Sequence, residues 1–162
     1  MQTNVRMSVT GTKELVAQFR LMSTKAQGRL IDQAVHAGAE VIKESIQTRI
    51  REQGLVDSGA LLNSVLVSPA DEMSIGGVKF VFVYEVGTYI ENDYDWVHEY
   101  GAEIVPKSSP YLVFEIDGHL VFTKRVVIPA RPYFRPGVEE GAPEAQNVIK
   151  ATFIRVVLGK LA

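Results

Sequence analysis

Apolar residues recur at intervals of three and four along positions 26–53: Leu30, Ile31, Ala34, Val35, Gly38, Val41, Ile42, Ser45, Ile46 and Ile50. That period lays them along one stripe of a long amphipathic helix, with Arg29, Asp32, Lys43, Glu44, Gln47 and Arg51 on the opposite face. Gly54 is placed to stop it. Upstream, residues 4–10 alternate, with Val5, Met7 and Val9 on one side, and predict a half-buried strand. Thr12 can then cap a short helix carrying Leu15, Val16, Phe19 and Met22 on one face. Downstream, Asp57 or Ser58 can cap a single turn holding Leu61 and Leu62.

From Ser64 onward the period becomes strand-like. Runs at 65–67 and 78–86 are separated by Gly76-Gly77, and runs at 111–116 and 120–124 flank Asp117-Gly118, a pair that favours a tight hairpin turn. Strands joined by turns, with no crossover helices between them, predict antiparallel pairing. The segment 87–110 reads as a long polar and aromatic excursion with one turn of helix around Trp96. A last apolar stripe, Ala145, Val148, Ile149, Thr152, Phe153, Val156 and Val157, predicts a C-terminal helix with Pro143 in its first turn. The chain is therefore expected to be one α+β domain over 1–162, an antiparallel β-sheet packed against a long amphipathic helix.

Composition narrows the function. The chain is 46% hydrophobic and 22% charged, an ordinary globular balance. Seventeen basic against nineteen acidic residues leave a net charge of −2, which argues against a dedicated nucleic-acid binder. Without cysteine there is no disulfide framework, thiolate metal site or cysteine nucleophile. The N-terminus lacks the form of a signal peptide, and no apolar run reaches the ~18 residues of a bilayer span, so no membrane association is expected.

The stretch VVIPARPYFRPGVEE, 126–140, stands apart. Pro129, Pro132 and Pro136 each fix their own φ and disfavour helix in the preceding residue, so the strand should end near Ile128 and helix should resume only after Pro136. Tyr133 and Phe134 would anchor such a corner by burial. Arg131 and Arg135 project from backbone with little freedom left to lose, which suits a bidentate carboxylate partner. That partner is either an internal glutamate holding the corner onto its own domain or a neighbouring subunit.

This stretch resembles the "ARPFLRPA" signature of phage neck and tail-completion proteins, the minor tail protein Z-like family of long-tailed bacteriophages. In the same order, VTGTKELVAQF resembles that family's N-terminal strand and first helix, VDSGALLNSV its Thr-Gly-x-Leu-x-x-Ser turn, and WVHEYGAEIVPK the segment ahead of the ARP motif. The chain departs from the pattern in having Asp57-Ser58-Gly59 where Thr-Gly is usual, and Trp96 where an aromatic-Ala pair is usual. The resemblance implies a structural virion protein, not an enzyme, that forms a homo-oligomeric ring at the head–tail junction. It would join the head connector to tail-terminator or tail-tube proteins, in the host cytoplasm during assembly and in the virion afterwards. Pro129, Arg131, Pro132, Tyr133, Phe134 and Arg135 would then form one interface. Trp96 and Tyr100, in the 87–110 excursion, are the candidates for the complementary patch, aromatics and arginine being enriched in interface cores.

Other chemistries are weaker on the residues. His98 and Glu99 lie near Asp93, Asp95 and Glu103, but the spacing matches no metal-binding motif, so the cluster reads as a solvated acidic loop and neither metal nor cofactor is expected. A triad of Ser58, His98 and an aspartate would make the chain a small α+β hydrolase, yet DSGAL is not a nucleophile elbow and helix capping accounts for it. His36 reads as a packed residue at the edge of the core, and His119 as an exposed turn residue. Arg29, Arg49, Arg51, Lys107, Lys124, Arg125, Arg131 and Arg135 are scattered and interleaved with acids, which permits at most weak, non-specific contact with passing DNA.

Overall fold

Helix α1, Thr24–Glu52, is the element against which the others are placed. The computed structural model describes residues 17, 19–75, 78–89 and 94–159; the expected strand at 4–10, most of the short helix after it and the Gly76-Gly77 turn lie outside them. Ser23 opens α1, its hydroxyl accepting the Ala26 amide at 3.3 Å. At the other end the Gly54 amide donates to the Arg51 carbonyl and the Leu55 amide to the Ile50 carbonyl, both at 3.0 Å. This is the Schellman pattern, with Gly54 left-handed at φ 65° and Leu55 and Ile50 buried together.

The apolar stripe is wide because α1 is covered on two sides. Helix α2, Ala60–Ser64, leads into strand β1, Val65–Ile75, which pairs antiparallel with β2, Val78–Thr88. This hairpin crosses α1, contributing Val65 and Val86 to the core. Its ladder shifts register between Pro69 and Glu72, where a proline without an amide interrupts the pairing. The Tyr84 hydroxyl donates to Asp32 on the polar side of α1, and the His36 ring stands edge-on to the Tyr84 ring at 5.1 Å. His36, expected as a packed residue at the edge of the core, touches Tyr84 there but remains exposed.

Helix α3 spans Tyr94–Tyr100 and leads into β3, Ala102–Ile104. Strands β4, Leu112–Ile116, and β5, His119–Thr123, form the hairpin expected at Asp117-Gly118, both turn residues having positive φ. Strand β6, Val126–Ile128, pairs back with β3. Among the described residues the strands form three separate antiparallel pairs instead of one sheet.

Helix α4, Phe134–Gly159, covers the remaining side of α1. It starts earlier than the prolines suggested and corrects two expectations. Pro136 falls in the first turn, where the amide it lacks has no partner inside the helix. Pro143 lies mid-helix, not at the start. It is exposed, so water can serve the Glu139 carbonyl that its ring leaves without an amide.

The two helices touch where Gly137 and Gly141 stand one turn apart. A Cβ on Gly137 would lie 2.7 Å from Cα of Ile46, and one on Gly141 would lie 2.9 Å from Cβ of Ser45. Beside this crossing Arg49 clamps Glu140 bidentately, its Nε donating to Oε2 at 2.7 Å and an Nη to Oε1. Both side chains are partly exposed, so the pair orients the helices more than it stabilises them.

Gly137→Ala is accordingly expected to destabilise the protein by about 1–3 kcal/mol, because the new methyl meets α1 backbone that cannot move aside. Helix propensity alone would predict a gain of up to about 1 kcal/mol, so the sign of the shift in a denaturant midpoint decides between the two.

Candidate functional site

The proline-rich corner is held by backbone amides. From Arg131 to Gly137 each amide donor has a partner. The Arg131 amide donates to the His98 carbonyl at 2.8 Å. Pro132 and Pro136 have none to give. The Tyr133 and Phe134 amides donate to Oε2 of Glu99 at 2.8 and 2.9 Å, and the Arg135 amide donates to Oε1 at 3.1 Å. Gly137 then makes the first bond inside α4, to the Tyr133 carbonyl at 3.1 Å.

Glu99 is therefore the N-terminal cap of α4, supplied from a different element. A local cap is unavailable, because tyrosine stands at the capping position and proline three residues on, where a capping box would need an acid. A carboxylate taking three amides at the positive end of a 26-residue helix gains both charge-assisted bonds and the helix dipole.

The same contact runs on along the chain. Gly101 ends α3 with φ 75°, its amide bonded to the Val97 carbonyl at 2.8 Å. A Cβ there would sit 2.8 Å from the Ile128 carbonyl oxygen and 3.0 Å from the Ala130 nitrogen, so only glycine lets the end of α3 lie against the corner. Ala102 then pairs with Ile128, and Ile104 with Val126. Residues 98–104 and 126–135 are thus zipped together from end to end.

Side chains divide between the two sides of the corner. Tyr133 and Phe134 are buried in the core at 1% and 4% exposure. That corrects their expected place in an interface, since they anchor the corner and leave nothing for a partner to touch. Pro129, Ala130, Arg131, Pro132 and Arg135 are all exposed. Of the two partners open to these arginines, the internal glutamate does not take that role: Glu99 binds the backbone of the corner, and the bidentate arginine is Arg49.

Helix α3 lies beside them. Asp95 Oδ1 accepts the Trp96 amide at 2.8 Å, and Oδ2 accepts the Thr88 hydroxyl at 2.6 Å. Thr88 in turn bonds the hydroxyl of Tyr133, whose pKa is pushed up by burial and by the nearby Asp95 and Glu99 charges. Asp95 and Glu99 are thus members of a bonded network, which corrects their reading as part of a solvated acidic loop; Asp93 lies outside the described residues. Within the excursion the expected helical turn at Trp96 is present as α3, and β3 follows it. Trp96 and Tyr100 stack with ring centroids 4.1 Å apart and remain 43% and 45% exposed. They rim a small cleft floored by Glu99 and Tyr133.

Ser58 accepts the Ala60 amide at 3.3 Å just ahead of α2, but the capping position is held by Gly59 with no side-chain cap, not by Asp57 or Ser58 as expected. Nothing links it to His98, whose carbonyl bonds the corner and whose imidazole faces the Arg131 guanidinium. Among the described residues, no group of three histidine or acidic side chains is placed to hold a metal ion. Among the same residues no helix is long and apolar enough to cross a membrane. No protein family, curated protein or solved structure matches the chain.

Glu99→Ala strips the cap from three amides at once and is expected to cost about 2 kcal/mol or more, read from denaturant unfolding. Glu99→Gln, which keeps an acceptor but no charge, should fall between it and the parent. A second expectation concerns pH. Burial, and after it the Arg131 charge, hold the His98 imidazole below its ordinary pKa. As pH falls through about 6.5 the unfolded chain takes up this proton before the folded one does, so stability drops. Above that pH both states are neutral and His98 contributes nothing. The difference in thermal midpoint between the parent and His98→Gln should therefore be flat above pH 7 and move against the parent below about pH 6.5.

Proposed function

We propose that the protein is a structural component of a phage head–tail junction, a neck or tail-completion protein that acts by assembling into a ring and joining the head connector to the tail. The observation that carries this reading is the corner itself. Its backbone is pinned amide by amide from Glu99, while Pro129, Arg131, Pro132 and Arg135 are left on the surface. A surface fixed in advance loses little freedom when a partner binds it. The four short motifs that resemble the family, in the family's order, support the same reading. The partners would be further copies of this chain, the head connector and tail-terminator or tail-tube proteins. Contact with DNA would be weak, since Arg49 and Arg125 are already engaged by Glu140 and Glu103. Chemistry is not part of the proposed role.

A ring demands two different surfaces on each copy, since head-to-tail contacts close only when one patch meets another. The exposed Trp96 and Tyr100 stack, which rims the cleft that Tyr133 and Phe134 line, is the candidate for one of these surfaces.

The reading is tested by deleting the gene from its phage or prophage and imaging the particles by electron microscopy. Filled heads separate from finished tails, or joined particles that do not infect, are expected. Complementation with Arg131→Ala or Arg135→Ala should fail while the proteins remain folded, and His98→Ala should restore particles better than either. Normal infectious particles from the deletion would overturn the reading.

A further inference from the structure

Among the described residues, no other helix or strand packs extensively along the β4–β5 hairpin. A two-stranded hairpin is marginal in water without a covered face, so its isolation calls for a partner. Pairing places Val113 opposite Phe122 and Glu115 opposite Leu120 on one face. Val113, Leu120 and Phe122 are 53%, 65% and 62% exposed, although apolar alternation of this kind normally faces a core. The other face, with Leu112, Phe114 and Val121, is half-buried near the hairpin's base. Five-residue strands make this an arm about 17 Å long.

The arm is also acidic. Between positions 108 and 123 it carries Glu115 and Asp117 and no lysine or arginine. The corner carries the opposite charge at its surface: Arg131 and Arg135 are exposed there, while the Glu99 carboxylate is turned onto the backbone amides, and Trp96 and Tyr100 rim the cleft that Tyr133 and Phe134 line. One surface is apolar with negative charge, the other aromatic with positive charge. Both belong to every copy.

We infer that the occupant of the arm's open face is a second copy of this chain, with Leu120 and Phe122 of one copy packed on Trp96 and Tyr100 of the next and Glu115 facing Arg131. The contact joins unlike surfaces, so it repeats head to tail. Pairing of two arms through the same face would set the two Glu115 carboxylates in one interface without a counter-charge, which disfavours it. The inference deepens the ring assembly proposed above and names the second surface that a ring requires.

The absence of cysteine makes a direct test available. His119→Cys marks the tip of the arm and Ala130→Cys marks the corner, both at exposed positions outside the contacts invoked. Full-length chains bearing one or the other substitution, distinguished by a tag, are mixed and treated with a short bismaleimide. Products linking a His119→Cys chain to an Ala130→Cys chain are expected, with neither chain linking to its own kind. Glu115→Lys should reduce the mixed product about tenfold, the consequence of losing one well-placed charge pair, and Arg131→Glu in the partner should restore it. Links between two His119→Cys chains would show arm against arm and overturn the inference. So would a link closing within a doubly substituted chain at high dilution, or no link in concentrated protein. Any of these would leave the deletion phenotype, and hence the neck reading, untouched. Conversely, infectious deletion particles alongside mixed links would leave a self-assembling protein with a different role.

Discussion

Three amides on one carboxylate set the arrangement of the C-terminal half of this protein. Glu99 collects the Tyr133, Phe134 and Arg135 amides, and this single contact fixes where α4 begins. Because α4 begins there, Gly137 and Gly141 fall opposite Ile46 and Ser45, and the helices can approach closely enough to exclude side chains from the crossing. Because Tyr133 and Phe134 are the residues so placed, their rings enter the core beside Ile46 and Val86. Moving the helix start by one residue would turn both rings through about 100° and take both glycines off the contact. The cap therefore acts as a register pin.

The pin also separates two tasks that the sequence mixes within eight residues. Alternate demands on the corner, to bury aromatics and to expose arginines, conflict if the backbone can rotate. Prolines at 129, 132 and 136 remove part of that freedom and leave three consecutive amides between them that need acceptors. Glu99 supplies the acceptors, and Gly101 lets the strand that follows lie alongside. Rigidity in this corner thus arises from one carboxylate, one glycine and the proline spacing acting together, and removing any of the three would loosen the other two.

How far this was legible from residues alone follows from whether each cause is local. The α1 stripe, its Gly54 stop and the Asp117-Gly118 hairpin are written in consecutive residues, and the structure follows them. The antiparallel pairing followed from the turns. The start of α4 was misjudged because the rule against proline in a helix interior was applied where the first-turn exception holds. The mid-helix Pro143 shows the opposite limit, since tertiary packing on α1 outweighs a local breaker. Glu99 was missed because its targets lie more than thirty residues away. A signal was nevertheless present: a helix opening with Tyr133 and Pro136 at the capping positions has no acceptor of its own, so a distant carboxylate had to be sought. The spacing of Gly137 and Gly141 was a second unused signal, for a close helix crossing.

The same reasoning bears on which surfaces are left over. Glu99 and Asp95 point their carboxylates at backbone amides and at Thr88, while Arg131 and Arg135 stay on the surface. A chain that builds a two-stranded arm with apolar residues on both faces keeps nothing to cover it. Each excess is of the kind that the other lacks. In a monomer each would carry a cost, one electrostatic and one of exposed apolar area. Placed on adjacent copies, the two excesses offset one another without any change to the pinned backbone, so association would need only the docking of surfaces already formed.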